Sequence, residues 1–466
     1  MIYTFPNKLR NLAIGFMVIG FLGLAYGFLS APSTIEESKA ITAVSHGDGH
    51  GENHEGSDTK SDKHNSEYGL TESHNTEKSH NDLINGHEQA KNHGISHDVE
   101  HDEHIFHQLS NKPWAALYVA AFFFFMISLG TLAFYAIQRA AQAGWSPVLY
   151  RVMEAITSYL LPGGIIVFVL LVLSSMHLNH LFIWMDPDVV AHDKLIAGKT
   201  GYLNTPFFLI RALFFLSGWT LYRFYSRKFS LAQDEATDNS NHKKNFRISA
   251  AFLVFYIVTE SVMSWDWIMS IDPHWFSTLF GWYVFASMFV SGITTIALIA
   301  IYLKSKGYLE FVNDSHIHDL GKFMFGVSIF WTYLWFSQFM LIWYSNIPEE
   351  VTYFITRIED YNLPFFGMLV MNFIFPLLIL MNSDYKRMNY FIVMAGIVIL
   401  LGHYMDVFNM IMPSAVGDQW YIGAAEIGGF LFFFGLFIFI VFKELTKAPL
   451  LAKGDPFLGE SKRFHY

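Results

Sequence analysis

The chain has 466 residues, of which 53% are hydrophobic and only 15% are charged. A soluble protein of this length needs more charge to cover its surface, so the composition excludes an ordinary water-soluble enzyme and predicts a membrane protein. The chain has no cysteine, which excludes disulfides, cysteine-ligated iron–sulfur clusters and C-x-x-C-H haem attachment within it.

Apolar blocks of about 20 residues, the length that crosses a bilayer core, recur along the chain. They predict an all-α polytopic membrane protein with about ten transmembrane helices. The predicted spans are 11–29, 114–137, 152–176, 206–225, 248–270, 280–303, 320–344, 364–381, 388–411 and 420–442.

Basic residues set the predicted orientation. Lys8 and Arg10 precede the first span, whose apolar run is long for a cleaved signal peptide. With these two residues inside, most lysines and arginines between the spans also lie inside. The short loops on the other side hold only Lys194, Lys199 and Arg357. We therefore expect a bacterial inner membrane protein with both termini in the cytoplasm.

A histidine-rich acidic linker follows the first helix (1–29) and occupies residues 30–110, on the predicted periplasmic side. Twelve histidines lie between His46 and His107, among many acidic and small polar residues. Few apolar residues are available for a core. The cluster either binds zinc or copper weakly or is only a soluble acidic tether, and the tether is the favoured interpretation.

The sequence contains an internal duplication over four helices. The matching pairs are Tyr118 with Tyr283, Ile183-Trp184 with Ile342-Trp343, Asn204-Thr205-Pro206 with Asn362-Leu363-Pro364, and Asp266 with Asp406, each aspartate seven residues before a proline. They predict two four-helix bundles, 111–275 and 276–415, related by an axis along the membrane normal. The N-terminal helix and the C-terminal helix with its cytoplasmic tail (416–466) are additions.

Ionisable residues inside a span cost roughly 2.5–3.5 kcal/mol each on insertion scales, so each needs a reason. The candidates for quinone binding or proton transfer within the spans are Arg211, Glu260, Asp266, Gln338, His403, Asp406 and Glu426. His403 and Asp406 lie three residues apart, on one helix face. Arg211 is best interpreted as the partner of a buried carboxylate. For Asp266 and Asp406, a proton or quinone function and a helix-contact role are equally open.

The predicted outer rim adds His177, His180, Asp186 and His274. A quinol oxidised near this face must release protons, which a carboxylate or histidine can accept. The histidines can equally be solvated residues at loop edges. Because the second bundle lacks counterparts of His177 and His180, the first bundle is the favoured place for a single quinone site. His403 has no evident histidine partner at its depth, so we expect no haem.

Three segments then identify a family. They are 261–278 (SVMSWDWIMSIDPHWFST), 180–188 (HLFIWMDPD) and 322–338 (KFMFGVSIFWTYLWFSQ). Together they resemble the ActF membrane subunits of bacterial alternative complex III, which are similar to the wider NrfD and PsrC family of membrane anchors. The resemblance covers essentially spans two to ten.

The resemblance implies a subunit of a respiratory quinol:cytochrome c (or other acceptor) oxidoreductase, with menaquinol or ubiquinol as the quinol and with bound phospholipid. It implies as partners a sister NrfD-like subunit, an iron–sulfur subunit, c-type cytochromes and a terminal oxidase, and no nucleic acid. The family's quinol site beside the redox centres is attributed to the sister subunit. The chain itself is expected to hold no haem or iron–sulfur cluster, so electrons would pass to partners.

Two alternatives stay open. The chain could be a structural and proton-conducting subunit with no quinol site of its own, or a secondary transporter for metal ions. The duplication and the histidine-rich linker suit a transporter, but no two neighbouring spans offer closely spaced His and Asp residues. The sequence also predicts that Asp266→Asn slows quinol oxidation without preventing assembly of the complex.

Overall fold

The computed structural model describes residues 2–47 and 82–465, with side chains outside 42–101 and 104, and in this part of the chain it contains helices and no strand. The α-helices are α1 (Asn7–Leu29), α2 (Ile35–Gly47), α3 (Asp82–Ala140), α4 (Tyr150–Ile156), α5 (Leu160–Ser175), α6 (Pro187–His192), α7 (Lys194–Gly198), α8 (Thr205–Gln233), α9 (Ser240–Trp267), α10 (Phe280–Ser305), α11 (Asp314–Ser345), α12 (Pro348–Glu359), α13 (Asn362–Leu369), α14 (Phe375–Leu380), α15 (Asn389–Val416), α16 (Ala424–Leu445) and α17 (Leu458–Arg463).

Ten helical segments of the described chain are long and apolar enough to cross a membrane, which confirms the all-α polytopic fold. The third span, Pro147–Ser175, combines α4 and α5 with two short 3₁₀ turns. The eighth span, Asn362–Leu380, combines α13 and α14 through a π-helical turn at Val370–Ile374. The segments at 176–204, 272–279, 346–361 and 417–423 join the spans at one end, which the charge pattern predicts to be outer.

Neighbouring spans pack against each other within each of the two predicted four-span groups. In the second group α10 packs against α11 and α15, and α15 packs against α13 and α14. In the first group α8 packs against α5 and α9, while α3 joins through the hydroxyl of Tyr118, which donates to the carbonyl of Trp267 at 2.8 Å.

The two most buried spans, α3 and α10, are the first helix of each repeat and cross each other at the centre. Gly130 on α3 and Gly292 on α10 permit this crossing. A Cβ atom at Gly130 would lie 2.0 Å from the carbonyl oxygen of Met288, and one at Gly292 would lie 2.6 Å from the amide nitrogen of Thr131. Small residues at a helix crossing let two backbones approach closely inside a membrane.

The first and last spans, α1 and α16, lie outside the predicted repeat and pack against each other. Gly20, Gly23 and Gly27 on α1 face Gly428 and its neighbours on α16, and a Cβ atom at Gly20 would lie only 2.2 Å from the amide nitrogen of Phe432. This small-residue stripe fastens α1 to α16.

Buried arginines at the predicted cytoplasmic end hold the first bundle to the C-terminal tail. Glu154 accepts hydrogen bonds from Arg151 at 2.7 Å and Arg227 at 2.9 Å. Arg139 bonds Asp455 of the tail at 2.7 Å. Burial raises the pKa of Asp455, but His242 and Arg139 outweigh it and the net pKa is lowered. These residues are paired among themselves, so a structural role accounts for them.

Residues Ala31–Ser110 form a separate compact unit that contains α2 and the start of α3. It corresponds to the predicted linker, and its described helices are α2 and the first part of α3. The hypothesis that its histidines bind metal concerns side chains that, His107 apart, lie outside the described residues.

Candidate functional site

Asp406 lies at the centre of a polar cluster inside the second bundle. Its side chain is fully buried on α15. The hydroxyl of Tyr283 on α10 donates to Oδ1, and the indole N–H of Trp331 on α11 donates to Oδ2 at 2.8 Å. Among the described residues no lysine or arginine forms an ion pair with it, so this carboxylate is held by neutral donors from two other helices.

His403 completes the cluster one helical turn before Asp406. Its Nδ1 atom lies 2.9 Å from the hydroxyl of Ser287 and 3.4 Å from Oδ2 of Asp406. The amide of Asn372 lies 3.5 Å from the same nitrogen, and Nε2 has no partner within the described chain. The cluster therefore joins two titratable groups that can exchange a proton.

Asn372 reaches His403 because its own helix is distorted. It lies in the π-helical turn Val370–Ile374 and is fully buried. Four residues later Pro376 has no N–H to donate to the carbonyl of Asn372, which removes one α-helical hydrogen bond and favours the wider turn. On α15, Gly402 leaves room for the amide, since a Cβ atom there would lie 2.1 Å from Oδ1 of Asn372.

Asp266, the repeat counterpart of Asp406, has a different environment. Arg211 on α8 donates to it twice, through Nε at 2.7 Å and Nη2 at 3.1 Å. The hydroxyl of Tyr202 adds a third bond at 2.8 Å. The guanidinium also lies 4.1 Å from the rings of both Tyr202 and Phe207. The predicted pairing of Arg211 with a buried carboxylate is thus observed. Both carboxylate oxygens of Asp266 accept hydrogen bonds.

A small polar cavity lies between α12 and the outer part of the second bundle. It has about 10 Å³ of space for a water-sized group, roughly the volume that one water needs. Four buried polar atoms without partners in the described chain belong to its lining residues: Nε1 of Trp335, Oε1 of Gln338, Nη2 of Arg357 and Oδ1 of Asn409. Two donors and two acceptors complement a single water molecule or hydroxyl group, and a quinol ring does not fit this space.

Arg357 seals this cavity from the α12 side. Only 3% of the surface of this residue is exposed. Nη1 donates to the carbonyl of Tyr353 at 2.8 Å, and the guanidinium lies 3.3 Å from the ring of that residue. Nε donates to the carbonyl of Asn409 at 3.1 Å. That carbonyl is available because Pro413, four residues on, has no N–H to offer it.

Glu260 is a second buried carboxylate of the first bundle. It lies on α9, and its side chain is within hydrogen-bond distance only of the hydroxyls of Ser261 and Ser264, both at 3.4 Å, among the described residues. No described cation forms an ion pair with it. An unpaired carboxylate at this depth is costly and suits a proton-carrying group better than a structural one.

Glu426 is tied into the start of α16. It accepts a bond from the amide of Gly423 at 2.8 Å, which caps the helix. The ammonium of Lys112 lies 3.8 Å from its other oxygen and over the ring of Tyr421. Capping and charge pairing explain this residue without a ligand.

The four predicted rim residues do not converge on one site. His274 is about half exposed and bonds Asp193 at 2.5 Å. Hydrogen bonds to Asp193 from the amide of Ile196 and then from His274 lower the pKa of that carboxyl. Asp186 caps the short helix α6 by accepting from the amide of Asp188. These contacts fasten the outer loops.

The two remaining rim histidines lie just beyond α5. His177 is exposed, with a left-handed backbone at φ 58°. The amide of His180 donates to Asn111 at 2.9 Å.

Comparison of the chain with models of known protein families gives no match, and comparison with curated protein sequences gives none. Among the described residues no three His, Cys, Asp or Glu side chains are grouped as a metal site.

The sequence identified the titratable members of the clusters but missed several residues that bond them or line the cavity. These are Tyr202, Trp331, Trp335, Arg357, Asn372 and Asn409. Asn372 and Asn409 carried a usable signal, because amides inside apolar spans are as unusual as charges. The tryptophans carried none, because interface anchors have the same appearance in sequence.

Proposed function

We propose that this chain is a membrane subunit of a respiratory quinol:acceptor oxidoreductase similar to alternative complex III, and that its own part is to accept and move the protons released by quinol oxidation near the predicted outer face. With no cysteine in the sequence, the redox centres belong to iron–sulfur and cytochrome partners in this proposal.

The observation that carries the proposal is Asp406, a fully buried carboxylate without a described lysine or arginine partner. A charge retained inside a membrane marks proton or ion pathways in transport and respiratory proteins. Tyr283 and His403 give it two neighbours that can donate or accept a proton. Tyr283 also lines the cavity beneath α12, so a water-sized site lies next to the carboxylate.

The size of the cavity supports a role for this cluster in proton transfer rather than in binding the quinol ring. Because it has room for a water or a hydroxyl and not for a ring, the quinol is assigned to a partner or to another surface. The cluster would then conduct protons, and we propose a partner subunit as the place where the quinol binds. Labelling by a photoreactive quinone that falls on this chain rather than on a partner would contradict that assignment.

The test of the proposal is quinol oxidation by the assembled complex carrying Asp406→Asn. The amide keeps the shape but cannot accept a proton, and loss of a general acid–base group slows turnover by about 100-fold or more. Asp418→Asn is the matched control, because Asp418 is exposed at the same predicted face and bonds only Gln419 among the described residues. Unchanged turnover in an assembled Asp406→Asn complex would exclude Asp406 from proton transfer.

A further inference from the structure

An apolar groove runs between α8 and α9 on the surface of the first bundle. Its volume is about 530 Å³, and Phe214, Leu221, Tyr225, Phe229 and Phe255 form much of its wall. Phe214, Leu221 and Tyr225 are about half exposed or more, so the groove opens outward. Its floor is low because small residues, Ser217, Gly218 and Ala251, stand between the aromatic side chains.

The groove runs along α8 and α9, two of the helices that are long and apolar enough to cross a membrane. Its lining on α8 extends from Phe214 to Phe229, which is roughly 22 Å at 1.5 Å per residue. One leaflet of the bilayer core is about 15 Å thick. The groove is therefore long enough for an acyl chain lying within one leaflet.

Three basic residues of α8 and α9 follow or precede the lining residues at one end of the groove. The ammonium of Lys244 lies 5.9 Å from the ring of Phe229. Lys228 precedes Phe229 on α8, and Arg247 precedes Ile248 of the groove wall on α9. All three are exposed, and no ion pair joins them to a carboxylate of the described chain. This end lies at the predicted cytoplasmic face.

Some basic residues nearby differ from these three cations because they are paired with carboxylates. Arg223 and Arg227 on α8 both lie within 3.4 Å of Glu444. Lys304, at the same predicted face on α10, bonds Asp314 at 2.8 Å. Unpaired positive charge is thus present where the apolar groove meets the head-group region.

We propose that this groove binds an anionic phospholipid, with an acyl chain between α8 and α9 and the phosphate against Lys228, Lys244 and Arg247. A juxtamembrane cluster of lysine and arginine attracts anionic lipid head groups. A neutral isoprenoid tail could also fill the groove, but it carries no negative charge to pair with the three cations. The inference does not depend on the proposed function.

Native mass spectrometry of the delipidated full chain in mild detergent tests whether the chain prefers an anionic phospholipid. Phosphatidylglycerol and phosphatidylcholine with identical acyl chains are the probes. We expect the chain to retain phosphatidylglycerol several-fold more strongly, and the triple variant Lys228→Gln, Lys244→Gln, Arg247→Gln to lose that preference. Lys306→Gln with Lys453→Gln, both exposed at the same predicted face, should retain it. Equal retention of the two lipids by the unmodified chain would overturn the proposal.

A second variant tests the groove independently of its charge. Ala251→Trp fills the floor and leaves all three cations, while Val254→Trp places the same bulk on an exposed position of α9 that does not line the groove. Labelling with a diazirine phosphatidylglycerol should fall on α8 and α9 peptides, decrease with Ala251→Trp and persist with Val254→Trp. Labelling confined to other helices, or unchanged by Ala251→Trp, would contradict the proposal, as would occupation of the groove by a partner helix in the intact complex.

Discussion

Asp266 and Asp406 have the same place in the repeat but different chemistry. Asp266 is neutralised by Arg211 and also bonded by Tyr202. Asp406 has only neutral donors and His403. Each predicted bundle therefore contains a buried carboxylate at the matching position. The residues that contact it from neighbouring helices make Asp266 part of an ion pair and leave Asp406 as the candidate proton carrier.

The ion pair of Arg211 with Asp266 predicts a large and compensable effect on stability. Asp266→Leu alone leaves a buried guanidinium unpaired, which costs about 3–5 kcal/mol, whereas replacing both partners by apolar residues is often close to neutral. In thermal unfolding of the purified protein, the unfolding temperatures of Asp266→Leu and of Arg211→Leu should each be well below that of the double variant. Additive losses in the double variant would show that the pair is not coupled.

At this scale the sequence predicts charges better than their partners. The Arg211 pairing and the placement of His403 and Asp406 on one face follow from cost and helical spacing. The contact of Trp331 with Asp406 could not be predicted in this way. The same helix, α11, also carries Trp343, which is exposed, and the sequence alone does not tell the two tryptophans apart. Periodicity in an apolar helix does not distinguish a tryptophan that faces the core from one that faces lipid.

At the scale of helices, hydropathy predicts the ten spans well and their irregularities poorly. The π-helical turn at Val370–Ile374 and the length of α3, which begins at Asp82, were not predicted. Both depend on backbone hydrogen bonding, which a hydropathy window does not measure. The continuation of α15 through Pro413 also depends on backbone hydrogen bonding. Pro413 cannot donate to the carbonyl of Asn409, and Arg357 donates to that carbonyl instead.

The packing of α1 on α16 gives a prediction with an internal control. A Cβ atom at Gly20 would lie 2.2 Å from the backbone of Phe432, so the side chain of Gly20→Val would clash there. A Cβ atom at Gly15 would have no neighbouring atom within 4 Å. Overpacking of this kind costs typically about 1–3 kcal/mol. Gly20→Val should weaken cross-linking between α1 and α16 and lower the unfolding temperature, and Gly15→Val should do neither. Equal effects of the two variants would mean that the stripe does not fasten the helices.

At the scale of the whole molecule, the absence of cysteine makes the predicted orientation directly measurable. Thr352 on α12 and Ser305 at the end of α10 are exposed at opposite ends of the spans. Thr352→Cys should react with a membrane-impermeant maleimide in intact spheroplasts. Ser305→Cys should react only after permeabilisation. The reverse pattern would invert the topology and move the Asp406 cluster toward the cytoplasmic side.

The most direct test of whether this chain functions within a quinol-oxidising complex is its purification from native membranes in mild detergent. The purified material is scored for covalently bound haem c and for quinol:cytochrome c reductase activity. We predict that both co-purify with the chain, and that the Asp406→Asn complex retains the haem and loses most of the activity. A solitary chain with neither haem nor activity would contradict the claim and favour a transporter.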